Sequence, residues 1–219
     1  MTQHNGLPTG FFEFFEDLDQ DNTREFWTAN RKRWERDVRQ PMHALVTELS
    51  ERFEPLRMFR PHRDLRFAKD AAPYKTWTGA TSTRDSTGGI GYYLEASPTG
   101  VVTGYGAMRM TPEQLRRFRS AIDDHPTGTQ FQQIVDDLHS HSLELTPGAD
   151  TPLKTAPRGY PAEHPRIHHL RWKGAAVIQH WPRADWIHTH QLADEIATVW
   201  ETTQPLRDWL ERNVHPQQL

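Results

Sequence analysis

A chain of 219 residues is long enough to bury a substantial core, and a net charge of −3 gives no general attraction to nucleic acid or to a membrane surface. The absence of cysteine excludes disulfides and thiolate chemistry, and no apolar run approaches the roughly 18 residues of a membrane span. The opening MTQHNGLPTG has neither the basic nor the apolar part of a signal peptide, so a cytoplasmic protein is expected.

The chain begins with helical patterns. Phe11, Phe14, Phe15 and Leu18 fall on one stripe at i, i+3, i+4 and i+7. Asn22 or Thr23 is placed to cap a second helix carrying Phe26, Trp27, Asn30 and Trp34. Pro41 stands where a third helix can begin, with Met42, Leu45, Val46, Leu49 and Phe53 as its apolar face. These stripes read as core, and Asn30, between two tryptophans, must find hydrogen-bond partners if buried.

The middle is strand-like. Tyr92, Leu94 and Ala96 alternate with Tyr93 and Glu95, a Pro-Thr-Gly turn follows, and Val101 to Met108 alternate again, which predicts a hairpin at about 89–108. Gly104 and Gly106 lack the spacing of a phosphate loop and mark a bulge or a close backbone approach. Thr111, Pro112 and Gln114 make a capping box before a helix with Leu115, Phe118 and Ile122 inward and Arg116, Arg117 and Arg119 on a solvated flank. Phe131, Ile134, Val135 and Leu138 predict the next helix, residues 146–165 an irregular connection, and AAVIQHW a short strand. Leu192, Ile196 and Val199 share a face before Pro205, and Leu206, Trp209 and Leu210 follow on a last short helix. The expected fold is a single α+β domain over residues 1–219 with an ordered core at about 8–213. It has a mainly antiparallel sheet packed by N-terminal and C-terminal helices.

Among chemistries, the thirteen histidines suggest a metal, but HSH, IHH and HTH lack the spacing that lets two imidazoles share an ion. Asp64 and Asp70 with His62 could act as hard ligands or as acid and base, yet nothing in their spacing requires it. No metal and no cofactor are expected. A nucleophile elbow is absent as well.

The strongest signal is RMFRPHRDLRFAKDAAPYK. From Arg57 to Lys75 it has six cations and two carboxylates, a local net of +4. Arginine forks suit carboxylate or phosphate, Lys adds a point charge, and Asp64 and Asp70 could orient both by ion pairing. Phe67, Tyr74 and Trp77 would anchor the segment to a core. Pro73-Tyr74-Lys75 predicts a turn that aims Lys75 toward Arg63–Lys69. Two readings stay open: a site for a small anionic molecule, with or without catalysis, and an internal salt-bridge network in a non-catalytic interaction module. Nucleic-acid binding is a third, against which the acidic balance counts.

At these residues the sequence resembles a bacterial and fungal family of conserved hypothetical proteins of unknown function, with the hallmark RxxRDxRFSKDKxPYK. Arg60, Arg63, Asp64, Arg66, Phe67, Lys69, Asp70, Pro73, Tyr74 and Lys75 match, while Ala68 and Ala71 stand where the family usually has Ser and Lys. DNTREFWTANRKRWE is similar to a second family segment, with Phe26 and Trp27 in swapped order and Arg31 after Asn30. The hairpin looks like the family's, and LKTAPRGYPAEHP resembles a further segment that brings in Lys154, Arg158 and Gly159. The resemblance implies one globular α+β domain and no particular reaction. The candidate ligand residues are therefore Arg60, Arg63, Asp64, Arg66, Lys69, Asp70, Tyr74, Lys75 and Arg158, for a phosphate- or carboxylate-bearing ligand. Membrane association is not expected, and the oligomeric state is left open.

Overall fold

A computed structural model describes residues 4–64, 72–82 and 89–215. Its strands are β1 (Leu56–Met58), β2 (Thr78–Ser82), β3 (Ile90–Ser97), β4 (Gly100–Ala107), β5 (Leu145–Thr146) and β6 (Ala175–Pro182). They form one antiparallel sheet in the order β1-β2-β3-β4-β6-β5. With helices before, between and after the strands, this is the expected α+β class. The hairpin is β3 and β4. Strands β1 and β2 are too short for sequence alternation to reveal.

Contacts gather the described residues into two compact units. The first draws on Met1–Arg84, Tyr93–Thr103 and His180–Thr198, the second on Asp85–Tyr92, Gly104–Gln179 and Val199–Leu219.

In the first unit, α1 (Thr9–Gln20) buries the whole predicted stripe and Phe12 besides. Thr23, rather than Asn22, caps α2 (Arg24–Trp34), its side chain accepting the Phe26 N–H at 3.1 Å. The expected helix boundary at Pro41 is not there. Instead α2 continues through a π-helical segment, Glu35–Arg39, directly into α3 (Gln40–Arg52). A proline inside a helix removes one N–H and crowds the preceding turn. The wider π turn just before Pro41 accommodates both, so the run does not break. Met42, Leu45 and Leu49 are fully buried along α3.

In the second unit, α4 (Pro112–Asp123) opens with the predicted capping box: the Gln114 N–H donates to Thr111 Oγ1 at 3.3 Å and the Thr111 N–H to Gln114 Oε1 at 2.9 Å. α5 (His125–Ser140) and α8 (Gln204–Asn213) pack on it through Phe118, Phe131 and Trp209, with ring centroids 4.6 to 5.8 Å apart. Trp209 Nε1 donates to the Thr127 carbonyl at 2.9 Å, which satisfies the indole N–H inside this cluster. The arginines of α4 depart from the simple solvated flank that was expected. Arg119 is half-buried and donates to the Leu170 carbonyl at 3.0 Å, and Arg117 to the His215 carbonyl at 3.1 Å. A guanidinium can satisfy backbone carbonyls that have no partner of their own, as a solvated Lys would not do as rigidly.

β4 does not alternate as predicted, because seven of its eight residues are buried on one face or the other. Gly104 and Gly106 give the reason. A Cβ at Gly104 would lie 2.0 Å from the Val177 carbonyl oxygen, and one at Gly106, whose φ is +141°, 2.3 Å from that of Ala175. The close-approach reading of these glycines therefore holds. α7 (Gln191–Thr202) and a four-residue α6 (Ile167–Leu170) complete the helices described here.

Candidate functional site

The charged segment leads from β1 toward β2. Arg66, Lys69 and Asp70, together with Phe67, lie outside the described residues. On either side of them the chain pairs with itself. The Arg63 N–H donates to the Pro73 carbonyl at 2.9 Å, the Lys75 N–H to the Pro61 carbonyl at 2.8 Å, and His62 and Tyr74 form an antiparallel bridge between these bonds. The predicted Pro73-Tyr74-Lys75 turn is thus replaced by an extended rung. Proline's φ suits extended backbone as well as a turn, and here cross-strand bonds on both sides decide the outcome.

Tyr74 is 5% exposed, and its ring lies flat on Trp27, with centroids 4.2 Å apart and planes 7° from parallel. It braces the segment from inside. Lys75 sits over the rings of Trp77 and Phe59, at 4.8 and 5.2 Å. Burial, and secondarily the charge of Arg63, hold its ammonium below the usual lysine range. The rest of the predicted target of Lys75, Arg66 and Lys69, lies outside the described residues. Arg63 and Asp64 are exposed. Arg158 belongs to the second unit, exposed in the irregular connection before α6.

Arg60 opens onto a cavity of about 560 Å³. The walls are Trp27, Trp34, Pro61 and His62, with Trp27 and Trp34 rings 5.2 Å apart and Trp27 and His62 rings 6.1 Å apart. Its charged groups are Arg31, Arg39, Arg60 and Glu35. Trp27, Arg31 and Trp34 recur at i, i+4 and i+7 on α2, one face of a helix. Past Trp34 the π turn changes the phase, and this brings Glu35 and Arg39 to the same opening. Arg39 is held by Glu35 in an ion pair four residues apart. Among the described residues, Arg31 and Arg60 have no carboxylate partner. The cavity therefore carries three guanidinium groups against one carboxylate, so the opening has a positive balance beside aromatic faces.

Of the predicted residues, then, the structure puts Arg60 at this cavity, with Tyr74 bracing its Trp27 wall. It adds Arg31, Arg39, Trp34 and His62. The stripe pattern makes Trp27 and Trp34 core, but Trp34 is half-buried and lines the opening. The Trp-Arg-Trp spacing on α2 was the one available signal, and the phase of Arg39 was not legible without the π turn. A model of the family described as "Conserved hypothetical protein (DUF2461)" matches residues 10–209. No curated protein matches the sequence.

Proposed function

Starting from a chain that belongs to the DUF2461 family of conserved hypothetical proteins, we propose that it binds a small phosphate- or carboxylate-bearing molecule with a flat ring in the cavity between α2 and the Arg60–His62 segment. One observation carries this reading: Arg31 and Arg60, neither with a carboxylate partner among the described residues, open on an aromatic-walled cavity. Like charges held together without counterions repel until an anion arrives, so the arrangement favours an anion over a neutral ligand. A volume of about 560 Å³ lies within the roughly 300–1,000 Å³ of small-molecule sites.

The test is a thermal-shift and tryptophan-fluorescence titration with inorganic phosphate, phenyl phosphate and benzoate. Phenyl phosphate should bind best and quench Trp34. At about a hundred times its dissociation constant it should add about 2.7 kcal/mol of stability. Arg31→Met and Arg60→Met should each weaken it by about tenfold, or about 1.4 kcal/mol, with parental melting temperatures in the absence of ligand. No shift with any of the three, or unchanged affinity in both variants, would reject the reading. Melting temperatures that collapse in both variants would favour the internal-network alternative.

A further inference from the structure

A second cavity, of about 750 Å³, lies between α3 and β1. One wall is the α3 face that carries His43, Val46, Thr47, Ser50 and Glu51; the other is residues 55–61. Among the described residues β1 is the outermost strand on its side of the sheet, with β2 as its neighbour. Register decides which of its backbone groups point outward. The Phe59 N–H donates to the Gly79 carbonyl at 2.9 Å, and Met58 faces Ala80. In an antiparallel pair these groups alternate, so residues 57 and 59 turn theirs toward β2 and residues 56 and 58 turn theirs away. Ser50 Oγ accepts the outward Leu56 N–H at 3.2 Å and closes the groove at that end. The next outward pair, the N–H and C=O of Met58, has no partner among the described residues.

Two exposed cations, Arg57 and Arg60, line the same groove, and neither has a carboxylate partner among the described residues. Arg39 is already paired with Glu35, and Glu51 is the carboxylate on the groove itself. Charged side chains commonly blunt an edge strand against unwanted pairing. That role alone does not call for a hollow beside the strand with Val46, Leu56 and Met58 on its walls.

We propose that this groove takes an extended acidic peptide, which adds to β1 as a further strand. Its backbone pairs with the N–H and C=O of Met58, its acidic side chains meet Arg57 and Arg60, and its apolar side chains enter the hollow. Main-chain bonds give such complexes affinity, and alternate side chains give specificity. The groove shares Arg60 with the anion site, but the inference goes beyond that site because the strand pairing rests on the outward face of β1 and on α3.

The experiment is fluorescence polarisation with a fluorescein-labelled, N-acetylated Val-Glu-Val-Glu-Val-Glu peptide. The controls are the Lys-for-Glu peptide and two versions N-methylated at alternate amides, one for each peptide edge. Expected are binding of the acidic peptide, at least tenfold weaker binding of the Lys peptide, and loss of binding for one methylated version. Arg57→Gln should weaken the acidic peptide about threefold or more. Met58→Pro removes the outward N–H but no bond to β2, and should abolish binding. Phenyl phosphate titrations should be unchanged in Arg57→Gln and Met58→Pro, so that failure at the anion site and failure at the groove are told apart. No binding of the acidic peptide, equal binding of the Lys peptide, or full binding of both methylated peptides would overturn the proposal. The methylated peptides decide the matter even where Met58→Pro does not fold.

Discussion

Asn22 holds Tyr74 as a neighbouring strand would. Its Nδ2 donates to the Tyr74 carbonyl at 3.0 Å, and its Oδ1 accepts the Tyr74 N–H at 3.0 Å, across fifty-two positions of sequence. One side chain thus satisfies both backbone groups of the residue that braces the Trp27 wall. Asn22→Ala leaves a partly buried donor and acceptor without partners, which should cost about 1–3 kcal/mol in a urea unfolding experiment. Asn22→Asp keeps the acceptor and loses the donor, and should be destabilised as well. Stability equal to the parent in both variants would show that the clamp contributes nothing.

The stack of Tyr74 on Trp27 separates a structural role from a binding one. Tyr74→Phe keeps the ring, and should leave both the unfolding midpoint and phenyl phosphate affinity within about twofold of the parent. Tyr74→Ala empties a buried aromatic site and should cost about 3–5 kcal/mol. A phenyl phosphate affinity that falls tenfold in Tyr74→Phe, with stability unchanged, would instead give the hydroxyl a place in the ligand site.

The elements most legible in the sequence were those set by local rules. The Phe11–Leu18 stripe, the Thr111–Gln114 box and the β3–β4 hairpin each depend on neighbours within a few residues. Local pattern loses its hold where distant backbone decides. The π turn at Glu35–Arg39 leaves no periodic trace, so the joining of α2 to α3, and with it the position of Arg39, could not be read. Asn22 looked like a cap because its partner, Tyr74, is distant in sequence. Of the charged segment, Arg60 was legible as a cation near the cavity because it lies within the run of cations from Arg57 to Lys75. The contribution of α2 to the cavity needed the tertiary fold.

Two buried histidines, with His168 beside one of them, contribute to the response to acid. His4 is 1% exposed, and burial pushes its pKa down from 6.5 to about 4, with Glu48 and the backbone of Pro41 opposing and His190 adding to the fall. His169, packed on Phe131 and Trp172, is pushed down to about 3, first by burial and then by His168 and Arg166. The folded state therefore binds fewer protons than the unfolded chain below pH 6.5, so stability falls as pH drops through that value. The carboxylates with lowered pKa values, such as Glu113, start from 4.5 when unfolded and act mainly at lower pH. The urea midpoint should drop between pH 7 and pH 5, and the drop should shrink in His169→Phe. A midpoint that does not change over this interval would mean that neither ring resists protonation in the fold.

Glu35 gives a prediction of opposite sign to the arginine variants. It neutralises Arg39 at the mouth of the cavity, and both side chains are largely exposed, at 40% and 49%. An exposed pair four residues apart on a helix contributes about 0.3–0.5 kcal/mol, so Glu35→Gln should barely change the melting temperature. Removing the carboxylate also removes a charge that repels an incoming anion and releases Arg39 to face it. A unit charge at about 6 Å in a water-like medium is worth about 0.7 kcal/mol, or about threefold in affinity. Phenyl phosphate should therefore bind Glu35→Gln about threefold more tightly than the parent at low salt. The gain should fade as ionic strength rises and the screening length shortens to about 8 Å near 0.15 M. Fluorescence titrations at two salt concentrations measure both effects. Weaker binding in Glu35→Gln would mean that the carboxylate orients Arg39 for the ligand instead of competing with it.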